Sequence, residues 1–508
     1  MIQRVTPDRP WPLFGATRSR AIEGAALATS APHALMARAG LAVAQWARAL
    51  YPHARHVWVA CGPGNNGGDG LVAACHLAEW AKTSGAQLSV SWQGDVNRLP
   101  ADAAWALAAA QQAGLCWVDH APDECDLAID ALFGLGGRAD EATDPLKRWL
   151  HTLRQAPYPV LCVDLPSGLN PDSGALSGPN PASAHGPRHT LSLLTLKPGL
   201  FTAEGRDAAG EVWLDDLGCA TAEAPDARLG IEPPRNTPRP HSSHKGSHGD
   251  VLVLGGQGLH VNGAGMTGAA VLAASAALHG GAGRVYLVPL DAAGTSSLGW
   301  DTETPELMVR TTAHLTPEWL ETATVVCGCG GGEAVLPWLP RVIGHSQSLV
   351  LDADALNHVA ALPALQHALR ERSRARGVAA TVITPHPLEA ARLLDTSTHD
   401  VQTDRLAAAQ RLAQELGLIC VLKGSGTVIA MPGQVPVINP TGNARLATAG
   451  TGDVLAGWLG ARLAAQDTTP FHVASTAVYQ HGHAADVWSP RCDGTLTANG
   501  LARRLGRY

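Results

Sequence analysis

His56-Val57-Trp58-Val59-Ala60-Cys61-Gly62-Pro63-Gly64-Asn65-Asn66-Gly67-Gly68-Asp69-Gly70 is the stretch whose reading decides the fold. Residues 57–60 are a short apolar strand, and residues 71–82 read as a helix. A strand, a glycine loop and a helix open the backbone so that amide N–H groups can cradle a phosphate. Two carboxamides and a carboxylate in that loop add acceptors for a cation and a candidate acid/base group. Two other readings exist. Residues 62–67 also fit G-x-G-x-x-G, the dinucleotide fingerprint, which asks for an acidic residue at the end of the next strand. That strand, 87–92, ends in Gln93-Gly94, and Asp95 comes late. A plain structural turn is the third reading. The residue types favour a specialised phosphate-plus-cation loop.

Around this loop the chain alternates. Strand candidates are 57–60, 88–92, 127–129, 160–163, 191–196 and 211–214, with an alanine-rich helical region at 21–50 broken near Ser30-Ala31-Pro32. Such alternation predicts a parallel sheet covered on both faces. The character changes at 223–249, where Pro225, Pro233, Pro234, Pro238 and Pro240 stand among polar residues, a linker by composition. A second alternation follows at 250–254, 284–288, 324–327, 348–351, 381–383 and 418–422. The expectation is an α/β protein of two three-layer αβα domains, 1–225 and 241–508, joined by a Pro-rich linker at 226–240.

Composition narrows the function. A chain of 508 residues is too long for one ordinary core. The net charge of -7 and the lack of a basic run argue against nucleic-acid binding. No apolar run reaches the length of a membrane span, and residues 1–16 lack a signal-peptide core, so a cytoplasmic protein is expected. The 10 cysteines show no C-x-x-C pair and read as reduced, buried thiols; a local bridge between Cys327 and Cys329 is strained.

In the first half Asp130 closes one strand and is followed by Ala131-Leu132-Phe133-Gly134-Leu135-Gly136-Gly137-Arg138. Asp164 closes another and is followed by Leu165-Pro166-Ser167-Gly168. Ligands of open parallel sheets bind beyond the carboxyl ends of strands, so these loops should meet the Asn65-Asn66 loop at one edge. An Asn, an Asp and a Ser there supply hard oxygen ligands for a cation. A helix cap is the alternative for any single Asp.

These segments together resemble the NAD(P)H-hydrate epimerase family over about residues 20–220. The resemblance implies a Rossmann-like domain with potassium held by Asn66, Asp130 and Ser167. It implies hydrate contacts at Asn65, Asn66, Gly67, Gly68 and Asp69, along Gly134, Leu135, Gly136, Gly137, Arg138, Ala139 and Asp140, and at Asp164. Asp164 would be the acid/base residue of epimerisation at nicotinamide C6. The family loop often reads G-T-G-L where this chain has Gly134-Leu135-Gly136-Gly137, and Pro187-Arg188 stands where Ala-Asp is common.

In the second half Ala447-Thr448-Ala449-Gly450-Thr451-Gly452-Asp453 feeds an apolar helix with an Asp in its first turn. The free N–H groups and dipole of that end suit a transferring phosphoryl group. Asp453 is placed to accept a proton from an attacking hydroxyl; a carboxylate that merely complements the dipole is the alternative. Lys423-Gly424-Ser425-Gly426-Thr427 follows a strand, with Lys423 a candidate to balance phosphate charge, and His386 lies between two prolines at another strand end. His241, His244 and His248 have no Cys partner at finger spacing, which favours a linker over zinc.

Together with 244–250, 266–270, 305–308 and 351–357, these pieces resemble the NAD(P)H-hydrate dehydratase family over about residues 235–505, which implies a ribokinase-like fold. Nucleotide contacts are implied at Lys423, Gly424, Ser425, Gly426, Thr427 and Gly452, and hydrate contacts at Ala269, Gly332, His386 and Asp453. Gly328-Cys329-Gly330-Gly331-Gly332 departs from the family's G-P-G-L-G. The two resemblances imply a fused repair enzyme. It would epimerise R- and S-NAD(P)HX with K+, and dehydrate the S form with ADP and Mg2+, giving AMP and phosphate. NADHX, NADPHX and ADP would be its partners, and a homo-oligomer its state. A ribokinase-like kinase of a vitamin precursor, fused to a nucleotide-sensing module, is the rival reading.

Overall fold

The computed structural model describes residues 1–136, 142–178, 186–232, 240–259, 261–290, 304–375, 380–465 and 468–507. The chain divides into two compact units, one of Met1–Thr6 and Trp11–Ala227, the other of Pro7–Pro10 and Arg228–Tyr508. Among the described residues no helix is long and apolar enough to cross a membrane.

The first unit is built on a sheet whose strands lie in the order Glu211–Asp215, Arg188–Leu193, Val160–Val163, Leu127–Ala131, His56–Cys61, Gln87–Trp92 and Cys116–Trp117, all parallel. Gln3–Arg4 runs antiparallel along the outer edge of Glu211–Asp215. The opening strand of the motif is central, with Val59 beside both Val90 and Ile129. Its side chains part by the period of two. Val57, Val59 and Cys61 join the core formed with helices Ala34–Leu50 and Asn65–Ser84, while Trp58 and Ala60 pack with Trp149, Leu150 and Leu153 of Asp144–Gln155. A strand buried on both faces is apolar throughout for this reason. The chain order reverses direction in the sheet between His56–Cys61 and Leu127–Ala131, which makes that gap the switch point where ligands bind.

The second unit repeats the plan. Met308–Val309, Arg284–Leu290, Asp250–Gln257, Thr324–Cys327, Ser348–Leu351, Ala380–Ile383 and Ile419–Leu422 lie side by side and parallel. Val428–Ala430 and Val437–Ile438 continue as an antiparallel meander. The switch point lies between Asp250–Gln257 and Thr324–Cys327. Helices Thr267–His279 and Thr451–Ala465 pack together over the sheet, their small residues Ala273, Ala277, Ala456 and Ala461 all in the core.

Three expectations are corrected. The helix after the first strand begins at Asn65, not at residue 71, so the Asn-Asn-Gly-Gly-Asp segment is the helix's own first turns. Its hydrogen-bond ladder already runs there, with Gly68 N–H donating to Gly64 O at 3.1 Å. The strand expected at 191–196 is Arg188–Leu193, and Leu194 turns away with φ 65°. The expected linker is partly ordered: Arg228 and Leu229 pair with Val437 and Ile438. Further on, His244 caps the short turn Lys245–His248, its Nδ1 accepting from Gly246 N–H. Residues 233–239 of that linker lie outside the described residues.

All ten cysteines are free, as expected, but not all are buried. Cys61, Cys162, Cys327, Cys329 and Cys420 are buried, Cys75, Cys125 and Cys219 half-buried, and Cys116 and Cys492 exposed.

Candidate functional site

At the switch point of the first unit a cavity of about 1060 Å³ opens. Its wall includes Asn65, Asn66, Asp69, Gly134, Leu135, Gly136 and Asp164 among the residues expected from sequence. Gly67 and Gly68 lie behind that wall. A Cβ on Gly67 would stand 1.9 Å from Gly62 O, so only glycine lets the helix start this close to the strand end. Gly137, Arg138, Ala139 and Asp140 lie outside the described residues.

Asp130 and Ser167 meet below the strand ends, and Asn66 borders the loop that follows Asp130, where a Cβ on Gly134 would stand 3.3 Å from Asn66 Cβ. Asp130 accepts hydrogen bonds from Ser167 Oγ at 2.5 Å, Ser167 N–H at 3.0 Å and Leu132 N–H at 3.3 Å. Burial raises its pKa, and the Ser167 bonds, the Leu132 N–H and the Arg154 charge oppose the rise. Arg154 fixes the loop beneath by donating to Ser167 O and Ser177 O. Asn66 differs. Both its side-chain oxygen and its nitrogen are buried with no hydrogen-bond partner among the described residues. A buried amide left unpaired costs about 1–3 kcal/mol, so the site expects a guest. The oxygen donors of Asn66, Asp130 and Ser167 are of the hard type that suits potassium.

Asp164 sits with φ 65°, a strained conformation for a non-glycine residue and a recurrent mark of functional sites. Its Oδ1 accepts from Leu193 N–H at 3.0 Å and from the Lys197 ammonium. Lys197 is 1% exposed and also donates to Leu193 O and Thr195 O, both at 2.9 Å. Sequence reasoning missed Lys197. The available signal was a single cation inside an apolar run, Leu196-Lys197-Pro198-Gly199-Leu200. Asp69 has its pKa raised by burial and then by the neighbouring carboxylates of Asp164, Glu23 and Asp102.

In the second unit the groups gather at the corresponding sheet edge. Cys329 Sγ and one carboxylate oxygen each of Asp352 and Asp453 lie within 4.8 Å of one another. Lys423 Nζ donates to Asp352 Oδ1 at 2.6 Å, so the expected phosphate cation already has a protein partner. Gly452 adjoins this pair: a Cβ there would stand 3.3 Å from Lys423 Nζ. Asp453 lies in the first turn of Thr451–Ala465, whose leading N–H groups have no intrahelical acceptors. Burial, then the Asp352 charge, push its carboxyl up to about 6, against hydrogen bonding from Cys329 and the Lys423 charge.

The other expected residues surround this centre. Gly424 N–H donates to Thr427 Oγ1, and buried Arg405 holds the same turn by donating to Leu422 O and Lys423 O. Ser425 is exposed and Gly426 buried. His386 caps helix Pro387–Leu394, its Nδ1 accepting from Leu388 and Glu389 N–H, and its pKa is lowered by burial and by Lys423. Beneath it burial pushes Glu389 up to about 7. Gly332, at φ 51°, donates its N–H to Asp354 Oδ2 at 2.8 Å and accepts from His358 Nε2 at 2.9 Å. Ala269 lies against Gly330, where an added Cβ would be 2.9 Å from its own. The roles of Asp352 and Cys329 were not read from sequence, although Asp352 obeys the same strand-end rule as Asp164.

Residues 251–506 match a family described as NAD(P)H-hydrate dehydratase, and residues 32–199 match one described as YjeF-related protein N-terminus. The chain is 37% identical over 474 residues to the bifunctional NAD(P)H-hydrate repair enzyme Nnr of Escherichia coli (strain K12), covering 90% of this chain and 85% of that protein. It is 36% identical over 511 residues to the bifunctional NAD(P)H-hydrate repair enzyme of Leishmania braziliensis, covering 89% and 84%. Its second half is similar to the ADP-dependent (S)-NAD(P)H-hydrate dehydratase of Neisseria meningitidis, 40% identical over 261 residues, 49% of this chain and 80% of that one.

Proposed function

The chain belongs to the family of bifunctional NAD(P)H-hydrate repair enzymes, and from that premise we propose how its two sites divide the reaction. The first unit interconverts the R and S epimers of hydrated NADH and NADPH. The second dehydrates the S epimer with ADP, releasing AMP and phosphate. The observation that carries this reading is that each unit has its own switch-point site with its own strained or first-turn aspartate, Asp164 and Asp453.

In the first unit the hydrate is held against Asn65, Asp69 and the loop from Gly134, and Asp164 is the acid/base residue of epimerisation at C6. Lys197 fixes the orientation of that carboxylate through its Oδ1. Potassium fits the oxygens of Asn66, Asp130 and Ser167, where it would supply fixed positive charge at the base of the site. The unpartnered Asn66 amide supports this assignment.

In the second unit the hydroxyl of the S epimer attacks the terminal phosphorus of ADP, and the bridging P–O bond breaks to release AMP. Asp453 takes the hydroxyl proton, and a pKa near 6 suits a base that must be ionised at neutral pH. First-turn N–H groups of the helix face the transferring phosphoryl group. Phosphate then leaves C6 with the bonding electrons, the adjacent ring carbon gives up a proton to solvent, and the ring double bond reforms. Magnesium does not fit as a protein-held ion: a thiol stands in the cluster and Lys423 already occupies Asp352. Magnesium would instead accompany the nucleotide, screening its phosphate charge. Cytoplasmic residence and a homo-oligomeric state belong to the same proposal.

The test uses purified protein and both epimers of hydrated NADH. Recovery of dihydronicotinamide absorbance is followed with ADP, with ATP and with neither, in potassium and in sodium buffers. Complete conversion with ADP, slowed for the R epimer alone when potassium is absent, is expected. Conversion of the S epimer alone in potassium removes the epimerase assignment. Accumulation of a stable phosphorylated alcohol with no absorbance recovery removes the dehydratase assignment.

A further inference from the structure

Inverting a carbon that bears a hydroxyl beside a ring nitrogen needs two proton movements. One proton goes to the departing oxygen, and one leaves the water that enters from the other face. Asp164, tied to Lys197, supplies a single carboxylate. The cavity holds other charged groups, and most are committed. Asp102 is bonded to His33 Nδ1 at 2.6 Å, Asp95 caps the turn at Asn97 N–H, and Arg20 donates to Leu135 O at 2.8 Å. Glu23 lines the cavity and accepts no hydrogen bond among the described residues.

Its placement is fixed by the helix that carries it. Ala16–Thr29 is anchored at its start by Asp226 accepting from Gly15 N–H and Asp172 from Ala16 N–H. One turn on, buried Ser19 shares a hydrogen bond of 2.8 Å with Thr195 Oγ1, two residues before Lys197. Ser19, Glu23 and Leu27 then follow at intervals of four and all line the cavity, so one stripe of this helix forms the wall facing the Asp164–Lys197 pair. Asp69 is also in the cavity, where burial and the carboxylates of Asp164, Glu23 and Asp102 all act on it in one direction, towards the protonated form. Glu23 faces Asp164, Lys197, Arg20 and Asp102. Burial and the Asp164 charge favour its protonated form, while Lys197 and Arg20 draw it back. A group pulled both ways can give up its proton and regain it.

Building on the epimerase reading, we propose that Glu23 is the second proton-transfer residue of the first site, acting as the acid that releases the C6 hydroxyl while Asp164 serves the entering water. The C6–O bond breaks as Glu23 passes its proton to the leaving oxygen, and the nitrogen lone pair closes a C=N bond. Water adds to the opposite face and gives its proton to Asp164. One proton has moved from Glu23 to Asp164, no electrons are gained or lost, and the reverse reaction resets both groups.

The experiment measures epimer interconversion by chromatography without ADP in full-length wild type, Glu23→Gln and Glu23→Asp, in potassium buffer. Removing a general acid costs about 10²–10⁴-fold, so Glu23→Gln should lose at least about 100-fold in kcat with little change in KM, and the alkaline limb of its pH profile should vanish. Glu23→Asp should keep an intermediate rate and that limb. S-epimer dehydration with ADP should stay at the wild-type rate in both. Label in an ¹⁸O hydroxyl at C6 should wash out into water as wild type epimerises. Glu23→Gln within about 3-fold of wild type, a loss confined to KM, or retention of the label during epimerisation overturns the proposal. A wild type that never interconverts the epimers overturns the underlying epimerase reading instead.

Discussion

Replacing Asp352 with Asn tests the electrostatics of the second site. Asp352 and Asp453 place carboxylate oxygens within 4.8 Å of each other. At an effective dielectric of about 20, two unit charges at that separation repel by roughly 3.5 kcal/mol, or about 2.5 pKa units. The Asp453 carboxyl rises from 3.8 to about 6, with burial the largest cause and Asp352 the next. The Coulomb figure is therefore an upper bound, since Lys423 at 2.6 Å partly neutralises Asp352. In Asp352→Asn the repulsion disappears, and the ammonium of Lys423 is freed to attract Asp453. Both changes act in one direction. The acid limb of kcat/KM for ADP-dependent dehydration, expected near pH 6 in wild type, should move down by about one to two units. Both enzymes are assayed on the same S epimer and ADP, so ionisation of the substrates cancels. The plateau rate should also fall, because Lys423 loses the partner that holds it. A limb that stays in place or moves to higher pH would refute the reasoning. It would show that burial alone sets the Asp453 proton affinity, or that another group is the base.

Lys197→Met leaves the Asp164 carboxylate without its buried cation; thermal unfolding of the first unit should show a loss of about 3–5 kcal/mol, and epimer exchange should drop about 100-fold while S-epimer dehydration persists. His481, with burial lowering its pKa to about 4, donates Nε2–H to Thr451 O and stays neutral in the fold. Its folded pKa lies below the ordinary 6.5, so its contribution is complete above pH 6.5 and is lost as the pH falls towards 4, about 3 kcal/mol in all. Urea unfolding at pH 7 and pH 4.5 should show this as a steeper acid loss in wild type than in His481→Gln; equal slopes would remove the assignment. Gly67→Ala drives a Cβ to 1.9 Å from Gly62 O and should lower the melting temperature of the first unit by a few degrees, from a cost of about 1–3 kcal/mol.

What was legible in the sequence follows from the parallel sheet. Asp130, Asp164 and Asp352 each end an apolar strand, and such ends point at the ligand edge whatever lies around them. The first turn holding Gly452 and Asp453 was visible because glycines precede an apolar helix. The hidden parts depend on turns that composition does not mark. Residues 191–196 are uniformly strand-like, so nothing announces that Leu194 turns and returns Lys197 beneath Asp164. Asn65 to Asp69 look like a loop because glycine and asparagine are weak helix formers. Packing of Gly67 and Gly70 against the strand end overrides that preference. Glu23 is distant in sequence from Asp102, Asp164 and Lys197, and the tertiary Ser19–Thr195 bond that sets the register of its helix has no mark in the sequence. Cys329 reaches Asp453 through a loop with Gly328, Gly330 and Gly332 all at positive φ, a path no periodicity describes.

The distribution of thiols turns the chain into its own gauge of breathing. A disulfide reagent added to the native protein meets Cys116 and Cys492 at once. Cys61 and Cys162 in the first sheet, Cys327 and Cys420 in the second, and Cys329 in the loop after Cys327 can react only when the backbone around them opens. Slow modification followed by peptide mapping would thus time the opening of each unit separately, within one unmutated molecule. Ligands that tighten one sheet would delay only the cysteines of that sheet. The same burial shields the central strands of both units from oxidants for as long as they stay closed.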